Sequence, residues 1–424
     1  MSSFIFIIYL IFFSFFIPKI AFFKNSGLNK YWLIGLFFLK IFAGCIYGFF
    51  YSQPVYLPTS DTWKYFNLSK NETDWLLKDP AAFFKDLFYY HYNSSGNLFI
   101  AHQSYWNNLK DNVIIKILAV INVCTFKSYY ADVIFFNFFF FTGCIAFYRL
   151  LKEKIAANKY VLAIFVFCVP SFLFWCSGLH KDGLVFTAIA LCMFCFNEWI
   201  KASKLSVRNS VVFIFCALLL FALRNFVLLL LVPALFMWFL YYRYPHKKLL
   251  ITINIYGLII IAFFASGFIN HNIDFPGYII NKQNEFKALG GNSQLKLPPL
   301  NATAISFIQF LPAAIDISFL RPHLTQTGNF LYLPAIAENI FIYLLIIYSG
   351  YKYFSNRKNF HFTQTAKIFI VCCFAFAISN LLMMGYTVTL TGAIVRYRSF
   401  VLPFIIAPLS VFINNKNNAE NTAL

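Results

Sequence analysis

The chain is short of charge, and shortest of negative charge. Only 12% of its 424 residues are charged, with 15 Asp or Glu against 34 Lys or Arg, while 60% are hydrophobic. A soluble domain is about a quarter charged and about half apolar. Water cannot accommodate that much apolar surface, so the deficit excludes a soluble globular fold and makes lipid the solvent for most of the chain. Glycine-rich phosphate cradles are also missing: there is neither a G-x-G-x-x-G stretch nor a P-loop, which argues against a soluble nucleotide-linked substrate. No internal repeat is visible, so the inverted-repeat signature of many transporters is lacking. No segment is long and polar enough to fold alone, and residues 1–424 read as a single membrane domain.

What is present is a series of apolar runs. At about 20 residues per crossing, they fall near 3–18, 31–50, 130–151, 159–176, 182–200, 208–223, 226–243, 249–268, 329–351, 367–386 and 397–413. The first ends at Pro18-Lys19 without a small-residue cleavage site and reads as a retained span. Pro170 interrupts the fourth, and Arg224-Asn225 divides the sixth from the seventh as a tight hairpin. The expected fold is therefore all-α: a polytopic integral membrane helical bundle of about 11 transmembrane helices. The 58 Phe, like the many Ile, Asn and Lys, are also what an AT-rich genome produces, so they carry little functional weight.

The net charge of +19 sits in short basic clusters between these runs, such as Arg149-Lys152-Lys154 and Lys201-Lys204-Arg208. That is the positive-inside pattern rather than a nucleic-acid surface. With the clusters inside, the expectation is a multi-pass protein of the cell inner membrane, its N-terminus outside and its C-terminus cytoplasmic. Two extracytoplasmic loop regions follow, 51–129 and 269–328. The first carries amphipathic segments at 73–90 and 111–126, expected to lie on the membrane surface. The second has a polar stretch, Ala288–Pro299, then an apolar piece, Ala302–Ile317, too short to span. The sequons at Asn67, Asn71, Asn93 and Asn301 matter only in a eukaryotic secretory setting.

All ten cysteines lie in apolar runs. Cys192 and Cys195 form a C-x-x-C in mid-span, with no nearby His or second pair, and read as small apolar residues rather than a metal or redox site. No metal ligand set is assigned.

Charges in or beside hydrocarbon are expensive and need a reason. Asp61, just after the second span, can act as a general base toward a hydroxyl, help hold a divalent cation, or, with Ser60, cap a helix. Ser177–Gly183 is a tight outer turn in which His180 and Asp182 suit acid–base chemistry and Lys181 suits a phosphate; capping and snorkelling explain the same residues structurally. Arg224 and Asn225 are isolated in a long apolar stretch, pointing to an anion or to a bridge with Asp182 or Asp61. Arg321 follows the interfacial piece. Lys40 and Glu338, both mid-span, suggest a buried pair. Arg396 and Arg398 sit at the outer mouth of the last span against the positive-inside rule, as a phosphate clamp does, although arginines snorkelling to lipid headgroups explain them too.

The order of these features resembles the EpsG/Wzy-like polysaccharide polymerases and, more loosely, the GT-C-type membrane glycosyltransferases. The resemblance rests on a second span running into Asp61-x-x-x-Tyr65, a polar turn after a Pro-containing span (Pro170 through Gly183), and Arg396-Tyr397-Arg398 opening the last span before Pro403. Where such polymerases often have an Arg-Gln pair in the middle turn, this chain has His180-Lys181-Asp182. The resemblance implies a GT-C-like or polymerase-like core that transfers glycosyl groups at the outer membrane face, from a polyprenyl-phosphate or polyprenyl-diphosphate-linked sugar to a glycan or lipid acceptor. Asp61 or His180 would take the acceptor proton. Arg224, Arg321, Arg396 and Arg398 would meet the departing phosphate, with Tyr65, Lys181 and Asn225 also on substrate. Aromatics such as Trp63, Tyr89, Tyr90, Tyr92, Tyr105 and Trp106 would stack on sugar rings, although interfacial belts alone predict several of them. The partners implied are the lipid-linked donor, its acceptor and membrane lipid, with no nucleic acid. Two rivals use the same residues: a transporter or flippase for an anionic lipid-linked glycan, and a non-catalytic membrane assembly partner.

Overall fold

The computed structural model describes residues 2–88, 105–155, 157–269, 273–290, 293–326, 330–355 and 363–413, with the backbone alone for 105–108. Tyr89, Tyr90, Tyr92, the Asn93–Gly96 turn, the Asn93 sequon and the side chains of Tyr105 and Trp106 lie outside the described residues. Among the described residues the chain is 84% helix and has no strand, only an isolated bridge between Gln294 and Leu390.

The principal helices are α1 (Ser2–Phe16), α2 (Lys30–Tyr51), α3 (Asp61–Lys78), α4 (Tyr105–Thr125), α5 (Tyr129–Lys154), α6 (Lys159–Phe167), α7 (Pro170–Trp175) and α8 (Lys181–Ala202). They continue with α9 (Val207–Arg243), α10 (Lys248–Ile269), α11 (Phe275–Ala288), α12 (Ala304–Ile315), α13 (Leu333–Ser355), α14 (Gln364–Thr387), α15 (Thr391–Ser399) and α16 (Pro403–Leu409). Starts follow sequence: the side chains of Asn29, Ser60, Thr303 and Thr363 accept from first-turn amides of α2, α3, α12 and α14.

Among the described residues eight helices are long and apolar enough to cross a membrane, or nine if the bent pair α15 and α16, at 57°, is one span. The expected eleven reduces at two places. Pro170 does not merely interrupt the fourth run; it splits it into α6 and α7, each too short to span. At Arg224-Asn225 the stretch α9 is two helices joined across a kink, with Arg224 outside helical angles at φ −152° and ψ 79°, so the chain does divide there. It counts once because no loop separates the two arms. The polar helix of the 51–129 region also begins at Asp61 rather than at 73, because Ser60 caps it there. Outward faces stay apolar, as lipid requires: Phe4, Ile11, Leu258 and Ile261 are all exposed.

The chain divides into two compact units. The first comprises Met1–Ser95, Ala101–Leu150 and Phe172–Asn225. Its core is α5, with 72% of its apolar window buried against 11% for α1. Phe13 packs on Phe135 and Phe138 at 5.1 and 4.9 Å between ring centroids. Helices α3 and α4 are held together by polar groups. Asn122 donates to Ser69 at 2.8 Å, and the buried Lys116 ammonium sits between Glu72 and Asp86 at 2.8 and 3.0 Å.

The second unit comprises Gly96–Ile100, Leu151–Ser171 and Phe226–Leu424. It centres on α14, which packs on α12 and α16. Gly385 lies directly under the Ala314 carbonyl, where a Cβ has no room, and Phe376 meets Phe404 at 5.3 Å.

Candidate functional site

In the first unit, the turn from Cys176 to His180 is fixed before it offers any chemistry. Lys40 of α2, fully buried, donates to the Cys176 carbonyl at 3.2 Å and to the Ser177 hydroxyl at 3.0 Å. Asn137 of α5 donates to the Ser177 carbonyl at 2.7 Å. Gly44 lies against that same carbonyl, and Gly178 lies against the Tyr47 ring; a side chain at either would collide. A mid-span cation is thus consumed in orienting one turn, and His180 emerges from it as the N-cap of α8.

His180 is the middle of a chain of ionisable groups. Its Nε2 lies 3.5 Å from Asp61 Oδ2, its Nδ1 lies 3.0 Å from Asp182 Oδ2, and Asp182 Oδ1 pairs with the Arg224 guanidinium. Exposure falls steeply along it: 42% for the Asp61 side chain, none for His180 or Asp182, and 8% for Arg224. Capping falls to Ser60, which accepts from the Trp63 amide, so Asp61 enters α3 at its first position with its carboxylate toward His180.

The His180 Nδ1 also lies 3.4 Å from the Asp182 amide. The carboxylate contact is shorter and carries charge, so we place the Nδ1 proton toward Asp182. Both ring nitrogens then face carboxylate oxygens, which a neutral imidazole satisfies on one side only. The buried Asp182 carboxylate is matched by the Arg224 guanidinium, which is how an ionised group tolerates such burial. Arg224 is placed by the break in α9, and the alternative of a bridge to Asp182 is what the geometry forms. Its neighbour Asn225 is half-buried.

A second group abuts this chain. Lys181 pairs with Asp111 of α4 at 2.6 Å, and the Tyr65 hydroxyl donates to the same carboxylate oxygen at 2.9 Å. The Tyr65 ring centroid is 5.4 Å from the Lys181 ammonium and 6.0 Å from the His180 ring. Burial pushes the Asp111 carboxyl up, but the charge and hydrogen bond of Lys181, the Tyr65 hydroxyl and the charge of Lys110 outweigh it and hold the group below the usual carboxylate range.

No family model, curated protein or solved structure matches this chain. The geometry therefore stands alone.

The second unit accounts for the remaining expected residues, and differently from expectation. Arg398 is 1% exposed. It donates to the Arg321 carbonyl at 2.7 Å and to Asn339 Oδ1 at 2.6 Å, while Asn339 donates to the carbonyls of Leu320 and Pro322. Its guanidinium thus holds a backbone segment in place rather than waiting for phosphate. Arg321 Nε donates to Asp316 at 2.8 Å, and His323 Nε2 meets the other Asp316 oxygen at 2.6 Å. Arg396 is half-buried, its guanidinium 5.7 Å from the Tyr397 ring centroid. Glu338 accepts from the Ser171 amide at 2.8 Å, in the first turn of α7. Lys40 and Glu338 therefore each find partners inside their own unit, in place of the expected mutual pair.

Among the described residues no group of three or more His, Cys, Asp or Glu side chains is arranged to hold a metal ion. Asp61 and Asp182 sit on opposite edges of the His180 ring and do not converge. Sequence reasoning passed over Asp111, Asp316, His323 and Asn339. Asp111 falls in the amphipathic segment and could have been weighed with Asp61; nothing local marks the others.

The arrangement in the first unit can do one thing well. A half-exposed carboxylate is backed by a buried imidazole and carboxylate that can share its proton, and an ammonium lies one residue away. That is a general base beside a cation.

Proposed function

We propose that the chain is an integral membrane glycosyltransferase or polysaccharide polymerase. It transfers a sugar from a polyprenyl-phosphate or polyprenyl-diphosphate donor to a hydroxyl of a glycan or lipid acceptor, at the outer face of the cell inner membrane. The observation that carries this reading is the Asp61–His180–Asp182–Arg224 chain, exposed only at its carboxylate end. A bundle stabilised only by packing has no need of three buried ionisable groups in series, and such groups are expensive.

Asp61 takes the acceptor hydroxyl proton as the oxygen attacks the anomeric carbon. The bond from that carbon to the phosphate oxygen breaks, and the leaving lipid phosphate keeps the electron pair. His180 holds Asp61 in place and stabilises its charge, with Asp182 and Arg224 fixing the ring from behind. Lys181 is the cation this reading assigns to the phosphate, which would have to replace Asp111 as its partner. Arg224, Arg321 and Arg398 are engaged within the protein and support the site or the fold instead. The likeness to EpsG/Wzy-like polymerases in feature order supports the same reaction class.

The test is the length ladder of surface glycans in the native host, comparing the intact protein with Asp61→Asn at matched protein levels. Loss of one glycan, or collapse to single repeat units, supports the proposal. An unchanged ladder refutes it. Proteoliposomes containing a fluorescent lipid-linked sugar separate the transport reading, which moves the lipid across the bilayer without making a new glycosidic bond.

A further inference from the structure

The same unit has a pocket at the other end of its helices from His180. Along α8, Glu198 lies about 27 Å beyond His180 at 1.5 Å rise per residue. A pocket of about 460 Å³ opens there between α5, α8, the start of α9 and the segment Ala21–Asn25. That volume is in the range of small-ligand sites.

Its lining changes character with depth. On α5 it runs from Arg149 back to Thr142, on α8 from Glu198 back to Leu191, and on α9 from Arg208 in to Val212. Each pair has its ionic member toward the helix end and its uncharged member toward the middle of the helix. The charge thus gives way over roughly 6–10 Å on all three helices, to apolar residues on α8 and α9 and to Thr142 on α5.

The mouth is cationic. It carries two arginines, Arg149 and Arg208, against one carboxylate, Glu198, which Lys201 also meets at 3.2 Å. Arg149 is held rigidly: its guanidinium carbon sits 4.8 and 4.9 Å from the ring centroids of Phe22 and Phe194, and it donates to the Phe22 carbonyl at 3.3 Å. Arg208 is exposed at the first turn of α9. One arginine stacked in place and one reaching from solvent suit a phosphate, which accepts several charge-assisted hydrogen bonds at once.

We propose that this pocket binds the phosphate headgroup of an anionic membrane lipid, with the start of its acyl chain along Phe194, Cys195 and Val212. The apolar inner half separates this ligand from free phosphate, which would use the mouth and leave the rest empty. The site is distinct from the Asp61–His180 chain and does not depend on the reaction assigned to it.

The full chain, purified in a neutral detergent, is titrated with dioleoyl-phosphatidylglycerol, dioleoyl-phosphatidylcholine and inorganic phosphate, and bound lipid is counted by native mass spectrometry. One phosphatidylglycerol per chain is expected to be retained in preference to phosphatidylcholine. Arg208→Gln should weaken that retention about tenfold, the scale of one charge-assisted contact, and Arg208→Lys should restore most of it. Val212→Trp, which fills the inner end, should lower lipid retention in the same way. Equal retention of the two lipids, or no change in Arg208→Gln, overturns the proposal. So does displacement of the lipid by millimolar inorganic phosphate together with an unaffected Val212→Trp, which assigns the mouth to a free anion. Arg208 is exposed, so its two variants carry the test even if the tryptophan variant fails to fold.

Discussion

Replacing Asp182 by Asn removes one charge from a fully buried pair while keeping its shape. Arg224, 8% exposed at its side chain, would then lose the carboxylate paired with it, and the His180 ring would lose the charged acceptor at 3.0 Å from its Nδ1. Breaking a buried pair from one side costs about 3–5 kcal/mol. The amide still accepts a hydrogen bond, so the lower end applies, roughly 3 kcal/mol, or about a hundredfold in the folded-to-unfolded ratio. Arg224→Gln should cost a similar amount by stranding the carboxylate. The double variant replaces the pair by two neutral amides that can bond to each other. It should therefore lose at least about 2 kcal/mol less than the sum of the singles. The assay is reversible unfolding in mixed micelles on titration with an ionic detergent, followed by fluorescence of the seven tryptophans. Strict additivity, or single variants that lose under about 1 kcal/mol, would show that the two charges are not coupled as their geometry requires.

Two further outcomes follow from pairs described above. Because the folded Asp111 carboxyl titrates below its unfolded counterpart, the Lys181–Asp111 contribution is fully present above about pH 4 and is lost as pH falls through the folded value. The Asp111 side chain is 38% exposed, so Asp111→Asn should lower stability at pH 7 by under about 1 kcal/mol. The gap to the intact protein should narrow as pH falls through the folded value, and a gap that widened on acidification would overturn the assignment. Arg398→Lys cannot reach both the Arg321 carbonyl and Asn339, and should cost about 2–3 kcal/mol. Its effect on transfer activity should vanish when assays are corrected for folded protein, whereas a stable but inactive Arg398→Lys would return that residue to the substrate.

The sequence makes the membrane class legible because hydropathy over 20 residues does not depend on tertiary contact. It also marks Asp61, Tyr65, His180, Lys181, Asp182 and Arg224 as polar residues that apolar surroundings do not explain, and these six come together in one unit. Their pairings were less accessible. Asp111 reaches Lys181 across 70 residues, and nothing in an amphipathic segment tells which carboxylate faces the site. Arg398 looked like a clamp for an anion because its partners are an asparagine 59 residues away and a backbone carbonyl, and carbonyls leave no trace in side-chain patterns. The break at Arg224 was legible, since the apolar stretch divides there into two helices. The fourth run was not, because Pro170 splits it into pieces too short to span.

The contact between Lys40 and the Cys176–Ser177 turn bears on how the chain is made. These partners are 136 and 137 residues apart. At roughly 5–20 residues synthesised per second, α2 waits about 7–27 s for the groups that will accept its ammonium. A lysine at the middle of an inserting helix carries an apparent penalty of roughly 2.5–3.5 kcal/mol. During that interval only the apolar residues of α2 offset it; its most apolar 18-residue stretch, Lys40 included, has mean hydropathy 2.0. Insertion of α2 is thus a step of biogenesis sensitive to an added polar residue, before the groups that accept its lysine exist.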